Sequence, residues 1–373
     1  MQERKKILIT GGTGFVGSNL IGRMYNDYDI SVLVRNHSSY ARLSRYKNIN
    51  VITGSLSDQG ALEDSIKSVD CVVHLAYDPS SQKSNLSGIN NIIETCLKYD
   101  KKLVHMSTIS VYEPLSSPTI NEKSEYKGNT YAYAKDKKEI EALVTDAISA
   151  KSLKAIILQP TIIYGPYSGP WTDRILGQLR TGDVVIPDND SSVCNAVHID
   201  DVSEATVLAI NSESAIGETF LISGPDYISW PEFFNHFAAS LKEGAVLRYA
   251  LKDIKKNQRN PIRLARIILG DPKKAIDWEP MKSILKSLQY KLTPKMKSTI
   301  KSVYATYKKY SPRAIYLPNG PLLSLFNSES VVEIKKAKDI LGFAPKYSFD
   351  SGFKKTEEYI KWAYPLPLEK MYD

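Results

Sequence analysis

Near-continuous apolar runs recur through the first half of the chain: Lys6–Thr10, Ile30–Val34, Asn50–Ile52, Cys71–Leu75, Leu103–Ser107 and Ala155–Gln159. Runs of this length without polar alternation suit strands buried on both faces. Helical spacing fills most of the gaps. Asn85–Leu97 places Leu86, Ile89, Ile93 and Cys96 on one face, and the stretch after Tyr133 aligns Ile140, Val144 and Ile148. Strands alternating with helices predict an α/β fold, a doubly wound parallel sheet covered on both sides. The alternation stops after Gly165, and a later run, Thr219–Ile222, returns to the sheet before Gly224-Pro225. One domain is therefore expected over 1–165 with 195–224 returning to it. A smaller, mainly helical C-terminal domain takes 166–194 and 225–373.

Ile7–Gly17 organises the first domain. The apolar run breaks into glycines at 11, 12, 14 and 17, and Val16, Leu20, Ile21 and Met24 continue at helical spacing. That is strand, tight turn, helix. Gly11 allows the turn, Gly14 lets a pyrophosphate approach the backbone, and Gly17 lets the helix pack close to the strand. The phosphates would rest on the helix N-terminus, where free N–H groups and the dipole favour anions. Glycine also serves ordinary turns, but a strand before and a helix after favour a dinucleotide.

Ligands on such sheets bind beyond the carboxyl ends of the strands, so the residues after each run matter. After the second stands Arg35. An acid there would bond the ribose 2′-hydroxyl of NAD, whereas an arginine suits the 2′-phosphate of NADP. The choice tilts to NADP and leaves NAD open. His74 lies inside an apolar strand and reads as a core histidine with a hydrogen-bond partner. Downstream, Thr130–Val144 holds two tyrosine–lysine pairs at helical spacing, Tyr131/Lys135 and Tyr133/Lys137. A lysine one turn from a tyrosine favours tyrosinate and draws the phenol down from about 10, which makes an acid/base for a carbinol proton. Helical phase separates the registers: 133, 137, 140, 144 and 148 share the apolar stripe, while 131, 135, 138, 142 and 146 run to a solvent face.

The chain has 373 residues, 42% hydrophobic and 24% charged, enough to bury a sizeable core and too balanced for a disordered chain. Cys71, Cys96 and Cys194 lie far apart in apolar surroundings and suggest buried thiols, with neither a disulfide framework nor a metal site. No run is long enough to span a membrane, and the N-terminal apolar stretch is cut too soon for a signal peptide, so a cytoplasmic protein is expected. Charge is uneven. Lys242–Arg313 carries 19 Lys or Arg against 5 Asp or Glu, so the remainder of this +8 chain is net acidic.

Several motifs together resemble the extended short-chain dehydrogenase/reductase superfamily, specifically its NAD-dependent epimerase/dehydratase (nucleotide-sugar epimerase-like) family. They are Thr10-Gly-Gly-Thr-Gly-Phe-Val-Gly17, Val73-His-Leu-Ala76, Ser107-Thr-Ile-Ser-Val-Tyr112, Tyr133-Ala-Lys-Asp-Lys137, Gln159-Pro-Thr-Ile-Ile-Tyr-Gly-Pro166, Val197–Val202 and Lys335–Pro345. The resemblance implies a Rossmann-type sheet and a catalytic set of Thr108, Tyr133 and Lys137. Lys137 would also hold the nicotinamide ribose. Cofactor contacts are implied for Gly11, Thr13, Gly14, Phe15, Val16 and Gly17, and for Arg35, Ser55 and Leu56. Leu75, Ala76, Tyr77, Asn85, Pro160 and Ile163 complete that set; a capping role would equally account for Asn85. In the loop after Gly165, Tyr167, Trp171, Asp173 and Arg174 are candidates to touch substrate, and structural loop packing would equally account for each. His198 and Asp201 would belong to a linking element that orients the second domain.

Departures bear on the reaction. Members that dehydrate sugars carry Asp-Glu after the hydroxyl residue, where this chain has Ile109 and Ser110, so 4,6-dehydration is not expected. Ser55 stands where an aspartate is usual, and Glu113 replaces a customary glycine. The resemblance implies an NAD(P)-dependent epimerase or oxidoreductase acting on a nucleotide- or lipid-linked sugar. An NADPH-dependent reductase resembling hydroxysteroid dehydrogenases, with a sterol-like substrate, is the alternative, and a non-catalytic dinucleotide sensor a third. A homodimer built on the helices at Asn85–Leu97 and Tyr133–Ile148 is also implied. In the basic segment, Met281–Leu288 and Met296–Lys309 place apolar residues at helical spacing between lysines. They read as a basic helical insertion at about 242–313, either packed on the substrate domain or lying on an anionic membrane. No nucleic-acid recognition module accompanies the charge.

Overall fold

The computed structural model describes residues 4–36, 41–258 and 314–365. The chain opens with β1 (Lys6–Thr10), α1 (Phe15–Met24), β2 (Asp29–Val34), β3 (Ile49–Thr53) and α2 (Gln59–Lys67). β4 (Cys71–His74), α3 (Gln82–Lys98), β5 (Lys102–Met106), the short β6 (Thr119–Ile120), α4 (Ala132–Lys151) and β7 (Ala155–Pro160) follow. Next come β8 (Ile162–Tyr164), α5 (Arg174–Thr181), β9 (Gly182–Pro187), β10 (Ala196–His198), α6 (Ile199–Asn211) and β11 (Thr219–Ile222).

Seven strands make one parallel sheet in the order β11-β7-β5-β4-β1-β2-β3. The chain reverses direction across the sheet between β1 and β4, and that switch point opens a crevice at the strands' carboxyl ends. The pleat sorts the core. Ile7 and Ile9 face the layer of α1 and α6, while Leu8 faces α2, α3 and α4. All seven expected strands are present; the inner ones are apolar enough to be buried on both faces, while β3, at the sheet edge, is largely exposed.

The remainder is α7 (Trp230–Leu241), β12 (Val246–Tyr249), α8 (Leu251–Gln258), β13 (Ala314–Tyr316), α9 (Gly320–Phe326), β14 (Val331–Val332) and α10 (Phe349–Ala363). Of these helices, α7, α9 and α10, together with α5, surround an aromatic core of Trp230, Phe233, Phe237, Phe326, Phe349 and Phe353. The second domain is mainly helical among the described residues, as expected, and also contains a three-stranded parallel sheet, β12-β9-β13. Val184 pairs with Val246 and Gly182 with Ala314, partners too distant along the chain for local periodicity to reveal. Val246–Tyr249, at the start of the basic segment, is thus a strand. The helices expected at 281–288 and 296–309 lie outside the described residues.

The Asp201 carboxylate ties the two parts together, accepting the backbone N–H groups of Lys346 at 2.8 Å and Tyr347 at 3.1 Å. His198 accepts from the N–H of Asp200 and caps α6. Cys71, Cys96 and Cys194 are buried free thiols, and burial pushes Cys71 up to about 12. No described helix is long and apolar enough to cross a membrane.

Candidate active site

The glycine turn joins β1 to α1. Gly11 sits at φ 75°, and a Cβ there would come within 2.6 Å of the Ala76 nitrogen. At Gly17 a Cβ would fall 2.4 Å from the Gly11 carbonyl oxygen. Only glycines allow this close approach of helix, turn and β4. Gly14 is the N-cap of α1, with no side-chain capping bond and no acid in the first turn. A Cβ at Gly14 would meet only the Gly11 oxygen, at 3.2 Å. Thr13, Phe15 and Val16 complete this turn. Free N–H groups, an open approach and no competing anion fit a dinucleotide pyrophosphate.

Arg35 follows β2. Its guanidinium donates to Asp78 at 3.0 Å, and its side chain is 69% exposed. Asp78 is fixed in turn by Asn85, whose Oδ1 accepts the Asp78 N–H and whose Nδ2 donates to the Asp78 carbonyl, both at 2.8 Å. Asn85 therefore braces the loop after β4 and does not cap α3, whose N-cap is Ser81. Ser55 and Leu56 follow β3. The Ser55 hydroxyl meets that of Ser57 at 2.8 Å, and the Leu56 carbonyl accepts from Asn91. Leu75 and Ala76 lie against the glycine turn.

Thr108 follows β5 and caps a short turn, Ile109–Tyr112, by accepting the Ser110 N–H at 3.3 Å. α4 brings Tyr133 and Lys137 to it. Lys137 is buried and Lys135 exposed, so the inward stripe carries the Tyr133/Lys137 pair. Lys137 Nζ donates to the Met106 carbonyl at 2.8 Å. Tyr77 packs edge-on against Tyr133 with centroids 5.2 Å apart, and its hydroxyl donates to Asp136 at 3.0 Å.

The electrostatics correct one expectation. Burial raises the Tyr133 phenol above its ordinary value, opposed by its hydrogen bond with Thr108 and reinforced by Glu113. Burial also draws Lys137 down to about 8, with the Glu141 carboxylate working the other way. Desolvation sets the direction at the phenol, and Lys137 is not among the groups that act on it. His74 is buried in β4, bonded to Thr10 at 2.7 Å and held to about 3 by burial and Lys137, which is core behaviour.

Three neighbours of the site were not singled out as functional by sequence reasoning. Ser110 donates to Glu113 at 2.9 Å and meets the Tyr131 hydroxyl at 3.1 Å. Tyr131, expected on a solvent face, is half-buried because it is the N-cap of α4 and turns toward the Thr108 segment. Glu113 was visible only as a departure from the usual glycine. Pro160 ends β7, and Ile163 in β8 accepts from Ser168 through its carbonyl. Tyr167 has its ring against Tyr359 and under Arg42, while Trp171 lies between Trp230 and Arg174.

A doubly wound sheet with this glycine turn and an inward tyrosine–lysine pair defines the dinucleotide-binding class of α/β proteins. Residues 7–223 match the NAD dependent epimerase/dehydratase family, and the chain belongs to it. The 2-alkyl-3-oxoalkanoate reductase of Stenotrophomonas maltophilia is 28% identical over 253 residues, 63% of this chain and 76% of the reductase. The dTDP-D-glucose 4,6-dehydratase of Dictyostelium discoideum is 28% identical over 259 residues, 60% of this chain and 59% of that protein. A solved UDP-glucuronic acid 4-epimerase variant from Bacillus cereus, bound to NAD and a fluorinated UDP-sugar, superposes with TM-score 0.66 at 18% identity, covering 96% of this chain and all of that one (100%). That likeness shows the fold. A 4,6-dehydratase among the relatives means that family membership leaves dehydration open, and the expectation against it rests on Ile109 and Ser110 alone.

Proposed function

We propose that this chain is an NAD(P)-dependent epimerase or oxidoreductase that works at a carbinol carbon of a nucleotide- or lipid-linked sugar. The observation that carries this reading is the convergence of Thr108, Tyr133 and Lys137 at the carboxyl end of β5, with β4 between it and β1, which leads into the Gly11–Gly17 turn. Residues 1–165 with 195–224 hold the cofactor, and 166–194 with 225–373 hold the substrate. A bound nicotinamide dinucleotide supplies the hydride acceptor and donor. Gly11–Gly17 cradle its pyrophosphate, and Lys137 holds its ribose. Tyr133 takes the substrate hydroxyl proton, Thr108 fixes that oxygen, and the Lys137 charge stabilises the phenolate that results.

A cytoplasmic homodimer, packed through α3 and α4, is part of this proposal. So is contact of the basic segment with anionic lipid. The absence of a carboxylate at Ile109 and Ser110 favours epimerisation or reduction over dehydration. A second reading, an NADPH-dependent reductase, is favoured by Arg35 and by the reductase among the relatives. Nucleotide content as purified and a panel of nucleotide sugars, lipid-linked sugars and sterols test both. Tightly held cofactor with redox-neutral isomerisation supports the epimerase. An empty site with net NADPH consumption supports the reductase, and no turnover of any compound by dinucleotide-loaded protein counts against both.

A further inference from the structure

Glu113 follows the short turn that carries Thr108 and Ser110, and it is 6% exposed. Its Oε1 accepts the Ser110 hydroxyl at 2.9 Å, and the same Ser110 oxygen lies 3.1 Å from the Tyr131 hydroxyl. Hydroxyls alone lower its proton affinity, and no cation acts on it among the described residues. A carboxyl taken out of water without a cation binds its proton more tightly than usual, so the acid and the carboxylate are both within reach near neutrality. The Tyr131 ring stacks beside Tyr133 with centroids 6.1 Å apart, so this hydroxyl chain runs alongside the Thr108–Tyr133 pair. Facing the chain are Tyr131 and Tyr133 from α4 and, beyond Tyr131, Arg174 from α5.

We propose that Glu113, acting through Ser110 and Tyr131, is a second proton-holding group of this site, and that its charge governs how readily Tyr133 ionises. The proposal rests on the reading of Tyr133 as acid/base. A proton taken up by the Tyr131 oxygen displaces the phenolic proton to the Ser110 oxygen. The Ser110 proton then moves to Glu113 Oε1. One O–H bond forms and one breaks at each hydroxyl, and the carboxylate ends as a carboxylic acid; reversal returns the proton. The donor is a second substrate atom, a carbon next to a carbonyl, which leaves as the enolate. Hydride transfer at the carbinol carbon does not need such a group. Such a group belongs to the class of reactions that exchange a proton at the neighbouring carbon. Burial raising Glu113 to about 7 suits exchange near neutrality.

The test is carried out on the full chain. Infrared difference spectra, wild type minus Glu113→Gln, are recorded from about pH 5 to about pH 9. A carboxylic-acid carbonyl band should appear at the acid end, fade through neutrality, and shift in Ser110→Ala, which keeps the carboxyl and cuts its bond. Tyrosinate absorbance, wild type minus Tyr133→Phe, should then titrate at lower pH in a Glu113→Gln background, because a nearby negative charge is gone. Ser110→Ala reports even if the glutamine variant fails to fold, since its band is compared directly with wild type. A spectrum without the acid band at any pH, or a Tyr133 titration that Glu113→Gln leaves unmoved, overturns the proposal. These readouts involve no turnover, so such a result leaves the oxidoreductase reading standing. A chain that binds neither NAD nor NADP overturns that reading instead.

Discussion

Lys137 on α4 is anchored to β5 through the Met106 carbonyl, which accepts its Nζ at 2.8 Å. The bond holds the ammonium under Tyr77, 5.5 Å from the ring centroid, at the price of burying a charge. Burial lowers its proton affinity to about 8, against about 10.4 in an unfolded chain. Between those values the unfolded chain binds more protons, so folding stability rises with pH from about 8 to about 10.4 and is lost as pH falls back through 8. The contribution is about 3 kcal/mol at most. Urea unfolding of wild type and Lys137→Met across this window should show the difference between them changing in that sense. A difference independent of pH would mean that Lys137 is not desolvated.

Tyr133→Phe should cut turnover by roughly 100- to 10,000-fold, the usual worth of a positioned acid/base, while dinucleotide affinity stays within about threefold. Tyr131→Phe should retain more activity than Tyr133→Phe on the same substrate. Steady-state kinetics beside dinucleotide titration decides it, and the reverse ranking would transfer the role to Tyr131.

Arg35 is held by Asp78 in an exposed pair, an arrangement worth little in water and readily exchanged for a phosphate. Arg35→Asp should weaken NADP binding by about 10- to 100-fold, since a charge-assisted bond is replaced by repulsion, and alter NAD binding by less than about threefold. Fluorescence titration with both dinucleotides measures this. Equal or tighter binding of NAD by the unmodified chain would remove the NADP preference.

Two glycine substitutions should act in opposite directions. At Gly17 an added methyl meets the Gly11 carbonyl at 2.4 Å, so Gly17→Ala should cost about 1–3 kcal/mol and impair dinucleotide binding. Gly177 lies within α5 with nothing inside 4 Å of a new Cβ. Gly177→Ala should therefore stabilise the chain by about 0.5–1 kcal/mol. Thermal melts of both variants check the pair, and equal shifts would contradict the packing at the turn.

The sequence by itself determined the features written in local pattern. Seven apolar runs specified the strands, the glycine spacing specified the turn between β1 and α1, and a stripe of period 3.6 singled out Tyr133 and Lys137 over Tyr131 and Lys135. Tertiary structure alone decided what depends on residues far apart in the chain. β9 finds partners in Val246–Tyr249 and Ala314–Tyr316 only after the chain has returned twice. Arg35 meets Asp78 because β2 and the loop after β4 end at the same edge, on opposite sides of β1. Glu113 reads along the chain as an odd substitution. Folding α4 over the Thr108 turn brings the Tyr131 hydroxyl to it and removes the water that would keep it ionised. Proton affinities at this site follow from burial, and burial is a property of the packed molecule that no residue spacing records.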